Sequence, residues 1–170
     1  MSSYCTSYAT SCYNRTMVQI HSANELMAYA AELVCAITPL AKKATIMTLS
    51  GELGAGKTTF VQGIARALGV EERVTSPTFV LEKIYQLPMI DLRNQSFLRL
   101  VHIDAYRLKG VEELAALGWD ELIQDPGNLV LVEWPENIES AIPKDATRLH
   151  FEIVGDGRII TMNDSTKDKN

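Results

Sequence analysis

Apolar and polar positions along the chain follow two alternating patterns, one with helical spacing and one of short continuous runs. In the stretch HSANELMAYAAELVCAI, apolar side chains from Leu26 to Ile37 recur on one face of a helix. Ser22 followed by Glu25 matches a capping box, in which each side chain accepts from a backbone amide that the first turn leaves free. These signals predict a helix over this stretch, and Pro39 closes the helical region.

The short apolar runs predict the strands of a sheet. The run ATIMTLS predicts a buried strand near Thr45 to Leu49, and Thr58 to Leu68 predicts a helix that Gly69 can end. A short helical piece from Val111 to Leu117 is expected to stop at Gly118. Further strands are expected at Phe79 to Tyr85, Leu98 to Ile103, Leu129 to Val132, Leu149 to Val154 and Arg158 to Met162. Strands alternating with helices, followed by closing strands, predict an α/β sheet with an antiparallel edge.

Composition and charge limit the classes of function. With 170 residues, of which 46% are hydrophobic and 22% charged, the chain suits one domain with a sizeable core. Its net charge is −5 and its basic residues are scattered, so a nucleic acid partner is expected to be reached only through another protein. Cys5, Cys12 and Cys35 have neither disulfide-framework nor zinc-site spacing, which favours a reducing cytoplasm. The apolar runs are shorter than the roughly 20 residues of a membrane span, so no membrane partner is expected.

The ends of the chain differ from its middle. Residues 1–16 are rich in Ser, Thr and Tyr and lack the basic start and apolar stretch of a signal peptide, so a disordered tail is predicted there. A single domain is predicted over 17–162, and a flexible tail over 163–170. Gln86 to Phe97 forms a long connection, which predicts an elaborated hairpin or a mobile loop.

A glycine-rich segment lies between the first predicted buried strand and the helix that follows it. Gly51 to Thr58 spells GxxxxGKT, the Walker A pattern. Its glycines allow backbone amides to approach a phosphate closely, and the following helix adds free amides and a positive dipole end. Lys57 is expected to reach the β- and γ-phosphates, and the Thr58 hydroxyl to coordinate Mg²⁺.

Two acids follow apolar runs, where predicted strands end. Asp104 ends LRLVHID and Glu133 follows LVLV, so both are candidates for the carboxylate that Mg²⁺ needs at this edge of a parallel sheet. The alternative to a metal ligand is, for each acid, an ordinary solvated residue at the end of a strand. His102, two residues before Asp104, is expected to be a core histidine rather than a metal ligand, because no third ligand is evident.

The segment VTSPTF, from Val74 to Phe79, has the position of a γ-phosphate-sensing loop, although an ordinary Ser-Pro turn fits its spacing equally well. Guanine recognition is not indicated, because the chain has no NKxD run, and adenine is therefore favoured. A small-molecule kinase is the alternative function, although the arginines do not cluster as in a kinase lid.

Taken together, GELGAGKTTFVQGIARALGV, VTSPTF, HIDAYRL, LGWDELI and VEWPENI resemble the bacterial TsaE family in order and spacing over about Ser22 to Met162. These are P-loop ATPases of tRNA threonylcarbamoyladenosine biosynthesis. The resemblance implies a three-layer P-loop NTPase-type fold, with a mostly parallel central sheet and antiparallel edge strands. The tail before Met17 has no counterpart that we can match to the family.

The resemblance also implies roles for individual residues. Thr58 and Glu133 would hold Mg²⁺, Asp104 would be functionally important as a further catalytic or metal-site acid, and Thr78 would belong to a switch-like loop. Trp134 matches the family's tryptophan and would contact the nucleotide or a partner, with core packing as the alternative. Arg158 matches an arginine that would approach the nucleotide, with a surface arginine at a turn as the alternative. The ATP-binding residues implied are Gly54, Ala55, Gly56, Lys57, Thr58 and Thr59.

The implied function is Mg²⁺-dependent ATP hydrolysis that supports the partner proteins TsaD and TsaB. These proteins transfer a threonylcarbamoyl group to adenosine 37 of tRNAs reading ANN codons, so tRNA is reached only through the complex. Lys57, the loop amides and the metal would stabilise charge, while Asp104 or Glu133 would position the water. Slow turnover is expected without partners. The third class of function considered is a binding module that depends on nucleotide but does not hydrolyse it.

Overall fold

One seven-stranded sheet organises the chain, and the computed structural model describes residues 17–88 and 97–164 of it. The strands are β1 (Met17–Ile20), β2 (Thr45–Gly51), β3 (Glu82–Gln86), β4 (Arg99–Asp104), β5 (Asn128–Glu133), β6 (Thr147–Val154) and β7 (Gly157–Asp164). The α-helices are α1 (Ala23–Ala36), α2 (Lys57–Ala67) and α3 (Trp119–Gln124). Three 3₁₀ segments, Ala105–Arg107, Val111–Leu117 and Pro135–Ala141, complete the described elements.

The order of the strands is β1-β7-β6-β2-β5-β4-β3. The centre of the sheet is parallel, because β2 pairs in parallel with β5 and β6, and β4 pairs in parallel with β5. Antiparallel pairs flank it, with β3 on β4 at one edge and β7 between β6 and β1 at the other. The predicted mostly parallel centre with antiparallel edges is confirmed, and the carboxyl ends of β2, β4 and β5 lie together.

Two apolar layers lie on opposite faces of the sheet, giving three layers in all. Helices α1 and α2 cover one face around Phe60 and Phe151, whose rings meet edge to face 5.5 Å apart. Gly63 lets these helices approach closely, since a Cβ there would lie 2.8 Å from the backbone of Met27. The 3₁₀ segments and α3 cover the other face around Trp119. Within the described residues, no helix is long and apolar enough to cross a membrane.

The capping pattern predicted before α1 is present, with a small shift in one partner. Ser22 is the N-cap, and its hydroxyl accepts from the backbone N–H of Glu25 at 3.1 Å. The Glu25 carboxylate reaches one residue further back than in a standard capping box and accepts from His21 N–H at 2.8 Å.

Some predicted boundaries are wrong. The strand expected from Phe79 begins only at Glu82, because Pro77 O accepts from the amides of Val80 and Leu81 and turns the chain there. Strand β1 and helix α3 were not predicted, and β7 continues to Asp164, beyond the expected start of the C-terminal tail. The predicted N-terminal tail, the middle of the long connection (89–96) and residues 165–170 lie outside the described residues.

Candidate nucleotide site

The Walker A segment forms the connection between β2 and α2. Gly51 has φ 127°, and a Cβ there would lie 2.1 Å from the carbonyl oxygen of Phe151. Gly56 has φ 104°, and a Cβ there would lie 2.7 Å from Leu26. Glycine is therefore required at both ends of the loop, for backbone conformation and for space. The loop leads directly into the N-terminus of α2, the geometry that favours phosphate binding.

Lys57, the first residue of α2, is 4% exposed. Its Nζ donates to the carbonyl oxygens of Gly51 at 2.6 Å and Glu52 at 2.9 Å, and lies 3.8 Å from the ring centroid of Trp134. Burial lowers the pKa of Lys57, and the nearby negative charges of Glu133, Glu136 and Asp104 partly oppose this shift. The ammonium group is thus held inside the loop by acceptors for which a phosphate could compete.

Thr58 and Glu133 meet at the carboxyl edge of the sheet. The Thr58 hydroxyl lies 2.9 Å from Oε1 and 3.2 Å from Oε2 of Glu133. Glu133 is 3% exposed, and its Oε1 also lies 2.8 Å from Nε2 of His102. A helix-start hydroxyl held by a strand-end carboxylate is the arrangement expected for an Mg²⁺ site of a P-loop protein.

Asp104 holds the VTSPTF segment rather than the Walker A threonine. Its Oδ2 accepts from the hydroxyl of Ser76 at 2.8 Å and from that of Thr78 at 2.5 Å. Its Oδ1 accepts from the backbone N–H of Tyr106 at 3.0 Å, which fixes the carboxylate at the end of β4. Asp104 and Glu133 are direct partners in the β4–β5 register, so the two acids lie side by side with different hydrogen-bond partners.

A cleft of about 400 Å³ opens over these groups, a size typical of small-molecule sites. The residues lining it are Leu53, Gly54, Gly56, Lys57, Thr58, Thr59, Ser76, Thr78, Asp104, Tyr106, Glu133 and Trp134. A buried lysine, free helix-start amides, hydroxyls and two carboxylates suit a phosphate and a hard cation that keeps several waters. Among the described residues, no group of three or more His, Cys, Asp or Glu side chains could hold a metal ion by itself.

Two predicted nucleotide-binding residues lie behind the loop instead of in the cleft. Ala55 is fully buried in the core of the α1–α2 face. The Nε of Arg158 donates to Ala55 O at 2.9 Å, so Arg158 supports the loop backbone from below. Nucleotide contacts by either residue stay a prediction.

Trp134 borders the cleft in a strained conformation, with φ 59°. Its ring packs against Tyr106 at a centroid distance of 5.0 Å and lies under the Lys57 ammonium. Leu81, at the other side of the site, also has positive φ, at 65°. Trp134 directly follows Glu133, and Leu81 lies two residues after the VTSPTF segment, so both strained residues are close in sequence to site residues.

Comparisons with known proteins agree with this geometry. A family model described as "Threonylcarbamoyl adenosine biosynthesis protein TsaE" matches residues 20–160. The chain belongs to the TsaE family. It is 39% identical over 119 residues to the tRNA threonylcarbamoyladenosine biosynthesis protein TsaE of Borreliella burgdorferi, covering 69% of this chain and 80% of that protein. Its identity to the protein of the same name from Bacillus subtilis is 40% over 116 residues, covering 68% of this chain and 66% of that protein.

A solved TsaE-like structure shares the fold. The crystal structure of YdiB from Bacillus subtilis matches with a TM-score of 0.65 and 31% sequence identity, covering 88% of this chain and 84% of that chain. The family resemblance inferred from the motifs is therefore confirmed, as is the α/β fold class. The family carries a P-loop NTPase-type fold and a role in threonylcarbamoyladenosine biosynthesis, which supports nucleotide handling.

Four residues of the site were not among those predicted from the sequence, one of them Leu53, which lines the cleft. Ser76 binds Asp104, Tyr106 lines the cleft, and His102 binds Glu133. His102 had a usable signal, because it lies two residues before Asp104 and side chains two apart on a strand share a face. Tyr106 lies in a 3₁₀ turn, where strand alternation gives no direction.

Proposed function

We propose that this TsaE-family chain is an Mg²⁺-dependent ATPase that supports TsaD and TsaB in threonylcarbamoyladenosine formation. The hydrogen-bonded pair of Thr58 and Glu133 beside the Walker A lysine is the observation that carries the proposal. Bound Mg²⁺ would supply charge neutralisation at the β- and γ-phosphates. Thr58 and Glu133 would hold that ion, while the loop amides and Lys57 would bind the phosphate oxygens.

The two acids are proposed to have different roles. Glu133 contacts the Walker A threonine, so we assign it to the metal side of the site. Asp104 accepts from two of the three hydroxyls of the VTSPTF segment, those of Ser76 and Thr78, so we assign it to positioning this switch-like loop and, through it, the attacking water. Thr78 is the loop hydroxyl that the family resemblance implies for the response to the γ-phosphate; it lines the cleft and binds Asp104, as does Ser76.

Dependence on partners has separate support. No arginine lines the cleft among the residues described, and a supplied arginine finger contributes about 10³- to 10⁵-fold in rate in related nucleotide hydrolases. Arg107 stacks on the ring of Phe79 at 4.4 Å, and Arg158 is bound to the loop backbone. Turnover by the chain alone is therefore expected to be slow.

Exposed apolar side chains lie in the lining of the cleft and in the segment that follows Thr78. Leu53 is 79% exposed and Phe79 is 84% exposed, and Tyr106 and Val80 add further exposed apolar area. Exposed apolar patches mark protein interaction sites more often than free surface. We propose that TsaD and TsaB act on this side of the molecule and that tRNA is reached only through them.

Release of inorganic phosphate from ATP tests the proposal, measured with Mg²⁺ in the presence and absence of TsaD and TsaB. Stimulation by the two proteins, and its loss in Lys57→Ala, would support a partner-dependent ATPase. Phosphate appearing on a small acceptor would instead indicate a kinase. Nucleotide binding without phosphate release in either condition would indicate a binding module.

A further inference from the structure

A buried histidine extends the Thr58–Glu133 pair into a chain of three side chains. His102 is 0% exposed, and its Nε2 lies 2.8 Å from Oε1 of Glu133, the same oxygen that lies 2.9 Å from the Thr58 hydroxyl. Oε1 therefore has two donors available, whereas the contact given for Oε2 within residues 17–88 and 97–164 is the longer one to Thr58, at 3.2 Å. The carboxylate is engaged on one oxygen and less engaged on the other.

The sheet register explains how His102 reaches Glu133. His102 is paired with Leu131, and Asp104 with Glu133, in the parallel ladder of β4 and β5. Alternation along β4 turns Leu100, His102 and Asp104 toward the same face, the one covered by α1 and α2. His102 thus lies diagonally below Glu133, within the layer beneath the cleft.

The other ring nitrogen indicates where the proton lies. Nδ1 of His102 is buried and has no hydrogen-bond partner among the described residues. With its proton on Nδ1, the ring would have a buried N–H donor without an acceptor. With its proton on Nε2, that N–H has Glu133 as its acceptor and only the unprotonated Nδ1 lacks a partner, which costs less free energy. The ring is therefore expected to carry its proton on Nε2 and to donate it to Glu133.

We propose that His102 is a positioning residue for Glu133, an inference that rests on the proposed Mg²⁺-dependent ATPase function. The Nε2–H group fixes Oε1 and with it the plane of the carboxylate, which leaves Oε2 as the oxygen with the weaker side-chain contact. His102 touches neither phosphate nor metal and acts only through Glu133. Removing such outer partners of metal-site ligands commonly lowers metal affinity by about 10- to 100-fold.

Two amide substitutions separate this role from simple core packing. In His102→Gln the amide nitrogen is as many bonds from the backbone as Nε2, so it can still donate to Glu133. In His102→Asn the amide nitrogen corresponds to Nδ1 and falls short of the carboxylate. Asn is one methylene shorter than Gln, so a packing role would lower the free energy of unfolding more in His102→Asn, but it would change ATP affinity equally with Mg²⁺ and with EDTA.

The first readout is ATP affinity by calorimetry with Mg²⁺ and with EDTA. We expect His102→Gln to bind ATP more tightly with Mg²⁺ than with EDTA by the same factor as the wild-type chain. In His102→Asn this factor should be about tenfold smaller, while the ATP affinity measured in EDTA stays unchanged. Equal losses in both variants, or a full gain in His102→Asn, would overturn the proposal. If the wild-type chain shows no gain with Mg²⁺, the proposed function fails instead.

The second readout needs no nucleotide. Two-bond ¹H–¹⁵N spectra of the full chain resolve the ring tautomers of its three histidines, and the His102 signals are those missing from His102→Gln. A proton on Nε2 with a bare Nδ1 is expected, and a proton on Nδ1 would overturn the proposal. This measurement decides the question even if His102→Asn does not fold.

Discussion

Replacing Thr58 by valine tests the metal side of the site with little change in shape. Valine fills the space of threonine but lacks the hydroxyl that lies 2.9 Å and 3.2 Å from the two oxygens of Glu133. Thr58 is only partly buried, and Glu133 keeps its contact with His102 Nε2 at 2.8 Å. The fold is therefore expected to remain intact while one proposed Mg²⁺ ligand is removed.

The expected loss follows from the interaction removed. The hydroxyl removed is a proposed Mg²⁺ ligand, and loss even of a group that only supports a metal ligand commonly lowers metal affinity by about 10- to 100-fold. We expect Thr58→Val to weaken ATP binding by a factor in this range when Mg²⁺ is present and to leave the affinity measured in EDTA nearly unchanged. Calorimetric titration of wild type and variant under both conditions measures the two effects separately.

Thr58→Ser is the matched control, because it keeps the hydroxyl and removes only a methyl group. It should bind ATP with Mg²⁺ almost as tightly as the wild-type chain. An equal loss of affinity for Thr58→Val in EDTA and in Mg²⁺ would refute the reasoning, since the residue would then act through the loop. Unchanged affinity in both conditions would refute it as well.

Three further predictions concern packing, charge and the switch-like loop. Gly63→Ala should lower the free energy of unfolding in urea by about 1 to 3 kcal/mol, because its Cβ would lie 2.8 Å from backbone atoms of α1. Burial lowers the pKa of Lys57, so as pH rises the folded chain loses this proton at a lower pH than the unfolded chain does. The free energy of unfolding of the wild type should therefore rise with pH just below 10.5, and Lys57→Met should lack this rise. Asp104→Asn should speed amide hydrogen exchange at Val80 and Leu81 by roughly tenfold or more, because the hydroxyls of the preceding loop lose a charged acceptor.

Each of these predictions has a clear contrary outcome. Arg66→Ala changes an exposed residue on the same helix as Gly63 and should alter stability by less than about 0.5 kcal/mol; equal effects of the two would contradict the packing argument. Parallel stability curves for wild type and Lys57→Met would contradict the pKa argument. Unchanged exchange in Asp104→Asn would show that Asp104 does not hold the loop.

The parts of the fold that were predicted correctly have strong local patterns. Strand β2 is a run of buried, mostly apolar residues, and α2 combines apolar periodicity with a glycine after its end. Strand β1 has only four residues with one buried position, and α3 has only six, so neither pattern is long enough to recognise. The turn at Phe79 was misread as strand because an aromatic residue there is exposed rather than buried.

The contacts of the site also divide into those that local sequence patterns predict and those that depend on the tertiary structure. The meeting of Thr58 and Glu133 could be expected, since the Walker A helix and the ends of parallel strands converge at one edge of a sheet. The contact between His102 and Glu133 depends on the register of β4 against β5, which local patterns do not specify. The division of labour between Asp104 and Glu133 depends on the path of the VTSPTF turn, which is set by hydrogen bonds to Pro77 O.

The most direct test of the central claim is Mg²⁺-dependent phosphate release from ATP in the presence of TsaD and TsaB, comparing Glu133→Gln with Glu139→Gln. Glu139 pairs with Arg148 outside the nucleotide cleft, so its substitution controls for loss of a carboxylate. Glu139→Gln should keep wild-type phosphate release, and Glu133→Gln should lose the Mg²⁺-dependent part. Equal rates in the two variants, or release that does not require Mg²⁺, would contradict the central claim.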